Sequence, residues 1–129
     1  MKGFALSVYV AFALLGVGLG IAVLIRPALA LPPGADSPLT RHLIREEGAE
    51  GLFIGLMAFW CFRHFEQRRP VHLALLLFAL LFAAIHWAEY FADRRHFLSP
   101  ALNSVPFLLL AASAPWNEST KSGSKPALR

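Results

Sequence analysis

Four apolar stretches divide this chain: Phe4 to Ile25, roughly 43–62, roughly 72–91 and roughly 97–114, with short polar segments between them. A bilayer core asks for about 20 mostly apolar residues per helix, so each stretch is read as a membrane helix. The pattern predicts an all-α integral membrane four-helix bundle over residues 1–116, followed by a polar, flexible tail at 117–129.

Punctuation between the stretches is helix-breaking. Helix 1 ends at Arg26-Pro27, and the loop PALALPPGADSPLT is rich in Pro and Gly, which favour turns. Thr40 is the expected N-cap of helix 2, with Ser37 before Pro38 as the alternative. Helix 2 ends near Arg63-His64, and the short connection FEQRRP makes helices 2 and 3 antiparallel neighbours. Helix 3 closes at Asp93-Arg94-Arg95-His96. Helix 4 starts near Ser99-Pro100 and contains Pro106, where a kink is expected. A signal peptide would share the Lys2 flank and the Ala28-Leu29-Ala30 spacing. Its apolar region is about 7–15 residues, whereas Phe4 to Ile25 is 22, so helix 1 is read as retained.

Composition supports lipid as the solvent: 57% of residues are hydrophobic and only 16% charged, with a mean hydropathy of +0.55. The formal charge of +4 does not indicate a nucleic-acid partner, because the basic residues lie between and beside the apolar stretches, not on one soluble face. They read as topology signals. Placing both termini in the cytoplasm puts Lys2, Arg63, Arg68, Arg69, Lys121, Lys125 and Arg129 inside and Arg26, Arg41, Arg45, Arg94 and Arg95 outside, a small bias for that orientation. Cys61 is the single cysteine, which excludes an internal disulfide and a thiolate metal cluster. No phosphate loop, dinucleotide fingerprint or nucleophile motif occurs. The sequon Asn117-Glu118-Ser119 carries no weight.

Candidate chemistry concentrates where REEGAEG, residues 45–51, enters the second apolar stretch. With a hairpin turn centred near Gln67-Arg68, residues of equal depth on helices 2 and 3 have numbers summing to about 135. Glu50 is then level with His86, and Glu46 with Glu89. His42, Glu46 and Glu50 recur at i, i+4, i+8, and His86 and Glu89 at i, i+3, so two polar stripes can face each other. At 1.5 Å per residue, Glu50 and His86 lie about 5 and 7 Å from the mid-plane, and Glu46 and Glu89 about 10 Å. Such groups normally face a bundle interior and pair.

Four uses remain open for these residues. Glu50 and His86 can form a buried structural couple, or Glu46, Glu50, His86 and Glu89 can hold a metal in the manner of helical-bundle di-iron proteins. The same groups can form a proton relay or a pocket for an amphipathic ligand such as a quinone or lipid, lined by Trp87, Tyr90 and Phe91. A haem held by His86 with His42 or a second chain's histidine is the fourth. No cofactor is specified, a metal staying open, and His64, His72 and His96 receive no chemistry. Gly16-x-x-x-Gly20 and Gly51-x-x-x-Gly55 predict a close crossing of helices 1 and 2, leaving Glu46 and Glu50 turned toward helix 3. The apolar surfaces LALLLFALLFAA and PFLLLAA face lipid or another subunit.

The order LLGVGLGIAVLIRPALAL, RHLIREEGAEGLFIGLMAFW, a basic turn and HWAEY resembles small four-span bacterial membrane proteins of the DoxX-like kind and related domains of unknown function. That resemblance implies a compact four-helix bundle and a link to membrane redox systems, and it transfers no catalytic residue. Together these readings favour a multi-pass protein of a bacterial inner membrane that serves as an accessory or assembly subunit of a larger membrane complex, with protein–protein contacts through its apolar faces, in preference to an enzyme. The alternative is a small membrane enzyme or carrier with a Glu/His metal, proton-relay or amphipathic-ligand site between helices 2 and 3.

Overall fold

The computed structural model describes residues 2–31, 33–94 and 97–114. Among them the chain has four helices and no strand: α1 (Lys2–Ile25), α2 (Pro38–Arg63), α3 (Arg69–Asp93) and α4 (Leu98–Ala112), with single 3-10 turns at Pro27–Leu29 and Phe65–Gln67. The tail at 117–129, with its sequon, and the Arg95-His96 corner lie outside the described residues.

Local chemistry accounts for the helix ends. Ser37, not Thr40, is the N-cap of α2: its Oγ accepts from the Thr40 N–H at 3.1 Å, and Thr40 Oγ1 accepts from the Ser37 N–H at 2.9 Å. Two otherwise orphaned donors are satisfied reciprocally. Pro38 then falls at the first helical position, where its ring presets φ and its missing N–H costs nothing. Pro70 plays the same part in the first turn of α3. At the other end of α3, Arg94 turns left-handed at φ 56° and donates its N–H to the Tyr90 carbonyl at 2.6 Å. α4 runs unbroken in helical geometry past Pro106.

α1 and α2 are locked together by backbone contact. A Cβ placed on Gly16 would lie 2.6 Å from the Gly51 carbonyl oxygen, and one on Gly20 would lie 2.7 Å from that of Gly48. Gly55 is equally tight against the Val17 nitrogen, at 2.6 Å. α3 packs mainly on α4, where the Trp87 indole N–H donates to Ser104 Oγ at 2.9 Å. The bundle is therefore two antiparallel hairpins, and α2 and α3 touch only sparsely. A core of mostly small side chains, including Ala5, Ala13, Ala58, Cys61 and Ala79 with Tyr9 and Leu110, joins the hairpins at the end where α2 turns into α3.

α1 and α3 are long and apolar enough to cross a membrane, and only 22% of each apolar window is buried by the rest of the chain. α2 has the length, but Arg41, Arg45, Glu46, Glu47 and Glu50 occupy its first half. α4 has 15 residues, a rise of about 22 Å against a hydrocarbon core of about 30 Å. Two of the four helices thus qualify as spans by length and apolarity.

Candidate functional site

Because glycine contact draws α2 onto α1, a groove is left on its other side, facing α3. Glu47, Glu50, Ile54 and Met57 recur at helical spacing along the α2 wall, and Val71, Leu75, Phe78 and Phe82 along the α3 wall. Two adjoining spaces of about 240 and 380 Å³ share Ile54, Leu75 and Phe78 in their walls, so they are neighbouring parts of one groove. Together they fall within the roughly 300–1,000 Å³ typical of small-molecule sites. Phe12 of α1 and Pro106 and Leu110 of α4 also line the groove, so all four helices contribute.

Polarity in the groove is one-sided. Glu47, Glu50 and Asn103 line the half near the α2 N-terminus, and the other half is wholly apolar, lined by residues such as Phe53, Met57, Pro70 and Ala74. The Asn103 amide NH₂ is already committed, donating to the Ser99 carbonyl at 2.9 Å. What this end presents to an occupant is oxygen: two carboxyl groups and an amide carbonyl.

Glu50 and His86 do not form the buried couple expected from the sequence. Glu50 is exposed on the groove wall, and no hydrogen bond or ion pair joins it to His86. His86 instead lies 3.5 Å from Glu89 on its own helix and packs edge-on against Phe82, with ring centroids 4.8 Å apart. Glu46 is drawn to His42, one turn back on α2, at 3.3 Å. Equal depth places two residues level but does not bring them into contact, and α2 is held against α1. Nor do Glu46, Glu50, His86 and Glu89 converge as metal ligands: no group of three His, Cys, Asp or Glu side chains gathers at metal-binding distance among the described residues.

Trp87, Tyr90 and Phe91, expected to line a ligand pocket, pack instead on one another and on Phe97 at the α3–α4 corner, with centroids 5.6–5.9 Å apart. The Arg94 guanidinium lies 5.3 Å from the Phe91 centroid.

A second polar centre lies at the opposite end. Tyr9 OH and His72 Nδ1 are 2.7 Å apart, and both residues are fully buried. His72 Nε2 has no partner in hydrogen-bonding geometry, although the Leu110 carbonyl acts on the ring. Arg68 is buried beside them, its guanidinium 3.5 Å from the Phe65 centroid and its Nη1 donating to the Phe65 carbonyl at 2.6 Å. The sequence assigned His72 no chemistry. Its available signal was Tyr9, an aromatic hydroxyl within an otherwise apolar run that has to find a partner when buried.

No protein family, curated protein or solved structure matches the chain. The DoxX-like resemblance rests on its sequence motifs alone, and the functional reading on the groove.

Proposed function

We propose that this chain is a four-span membrane protein that takes an amphiphilic molecule from the bilayer into the groove between α2 and α3. One observation carries the reading: a groove lined by all four helices, apolar along its length and polar only at one end. An apolar tail would replace lipid contact along Ile54, Met57, Leu75 and Phe78, and a polar head would meet Glu47, Glu50 and Asn103. Surface chemistry supports burial in lipid, since Leu14, Leu15, Leu19 and Ile25 on α1 and Leu77, Leu81 and Ile85 on α3 are all more than half exposed. In water such apolar rows would be an aggregation surface. On this reading α2 crosses with its charged first half turned to the groove and the interface, and α4 completes the bundle as a shorter segment.

Native mass spectrometry of the protein released from mild detergent tests the proposal. An amphiphile retained at near-stoichiometric level is expected, and Ala74→Trp, which fills the apolar half from an exposed position, should expel it without unfolding the chain. A folded protein that carries nothing, or an Ala74→Trp variant that keeps its cargo, would overturn the reading.

A second reading draws on the same exposed rows. The outer faces of α1 and α3 can dock another membrane subunit, giving the accessory or assembly role expected from the sequence. Co-purification with a larger complex from native membranes tests it, and a lone monodisperse particle would count against it. Lipid and a protein partner use these rows equally well, whereas the groove is explained by a ligand, so the ligand reading comes first.

A further inference from the structure

Resting on the groove reading, we infer that the occupant's head is a cation: the groove takes a membrane-dissolved amphiphilic amine, an apolar chain ending in a protonated primary or secondary amine. Acidic side chains elsewhere among the described residues are already engaged. Asp36 is held by Arg41, Glu46 by His42, Glu66 by Lys2 at 3.2 Å and Glu89 by His86, and Asp93 has a partner of its own. Among the described residues Glu47 and Glu50 are the acidic side chains without a hydrogen bond or ion pair, and both line the groove.

The lining holds no donor to offset them. No Lys, Arg, His, Ser, Thr, Tyr or Trp side chain lines either half, and the one amide NH₂ present is spent on Ser99. An ammonium supplies only donors and a carboxylate only acceptors, so the two sets match. Phosphate, sulfate or carboxylate heads bring acceptors to acceptors and are repelled. A neutral carbonyl head offers only acceptors and finds no Lys, Arg, His or hydroxyl donor in the lining. Phe12, Phe78 and Phe82 add aromatic rings along the same half of the groove, and an ammonium over such a ring is attracted by its quadrupole. A carboxylate facing lipid is costly unless paired, and a cation in the groove supplies that partner.

The α2–α3 seam also offers a route in. The α1–α2 seam is closed by glycine-backbone contact and the α3–α4 seam by close packing, so the sparse contact between the hairpins is where a lipid-dissolved molecule can slide sideways into the bundle.

The test uses three radiolabelled probes of one chain length: a long-chain primary amine, its neutral N-acetyl derivative and the matching fatty acid. Binding is measured to the full-length protein in phosphatidylcholine nanodiscs, with protein-free discs as the partition control. Saturable binding of the amine near one per chain is expected, at least about tenfold tighter than the amide, the gain of one charge-assisted hydrogen bond. Glu47→Gln with Glu50→Gln should erase that preference while leaving binding of the chain itself. An amide or fatty acid that binds as tightly as the amine, or a double variant that keeps the preference, overturns the cationic head and leaves the groove reading standing. If none of the three binds saturably and Ala74→Trp changes nothing, the groove reading itself fails.

Discussion

Alanine substitution at four glycines separates a tight helix crossing from a mere small-residue motif. At Gly16 the added methyl would stand 2.6 Å from the Gly51 oxygen and 2.8 Å from Gly55 Cα, all rigid backbone. At Gly51, in the facing motif, the nearest atom is the Gly16 oxygen at 3.8 Å, ordinary van der Waals contact, and at Gly18 nothing lies within 4 Å. Relieving the Gly16 clash moves α1 and α2 apart by on the order of 0.5–1 Å, which forfeits a quarter to a half of the local dispersion well. Overpacking of this kind costs about 1–3 kcal/mol. On the proposed membrane reading each helix persists when its neighbours separate, so the better helix propensity of alanine is present in both states and does not offset the loss. Gly16→Ala should therefore weaken the fold by about 1–3 kcal/mol, Gly55→Ala by a similar amount, and Gly51→Ala and Gly18→Ala by no more than about 0.5 kcal/mol.

Cys61 provides the assay. It is the sole cysteine, fully buried in the four-helix core to which α1 and α2 both contribute, so a thiol reagent reaches it only when that core opens. Under mixed-micelle denaturation at equilibrium, one to two kcal/mol multiplies the reactive fraction by about 5–30. Equal sensitivity at Gly16 and Gly51, or none at Gly16, would refute the packing argument.

Further outcomes follow from the rest of the structure. Tyr9→Phe and His72→Phe, measured singly and together, should show a coupling of about 0.6–1.7 kcal/mol, the range for interhelical hydrogen bonds in membranes. A coupling near zero in the same thiol assay would mean the 2.7 Å contact holds nothing. Ser37→Ala should cost about 1 kcal/mol through loss of the N-cap, visible as faster amide exchange in the first turn of α2, and unchanged exchange would count against the reciprocal cap. Hydrogen bonding to Arg41, chiefly, with the guanidinium charge adding to it, holds the Asp36 carboxyl below its ordinary 3.8. This contact is present above the ordinary carboxyl pKa and is lost as pH falls through the lowered one. In Arg41→Gln the Asp36 carbon shift should titrate closer to 3.8, and an unmoved titration would show the pair is not formed in solution.

Helix existence was legible because it is local information. Four apolar runs, the Pro and Gly between them, and Pro38 and Pro70 act within a few residues, so α1 to α4 could be placed before any tertiary contact was known. The glycine crossing was legible in part: four-residue spacing marks a small face, but it treats Gly16 and Gly51 alike. Only the azimuth of the facing helix decides that Gly16 meets backbone while Gly51 has room, and that Gly48, outside both motifs, joins the contact. Tyr9 and His72 lie 63 positions apart, and nothing local on α3 marks His72 as core.

The sequence by itself determined that this chain is helical, apolar along most of its length, and unusual in carrying the acidic stretch REEGAEG into an apolar run, with Glu50 deepest. Tertiary structure decided what those carboxyl groups face. α2 can approach α1 to backbone contact through glycine, while its opposite side carries Glu, Ile and Met against Phe and Leu of α3, which cannot close as tightly. The unequal approach opens the apolar groove, separates Glu50 from His86, and leaves two acids at its end. Depth along a helix can be counted from residue numbers; the distance between helices depends on which faces fit, and that comparison exists only once all four are packed.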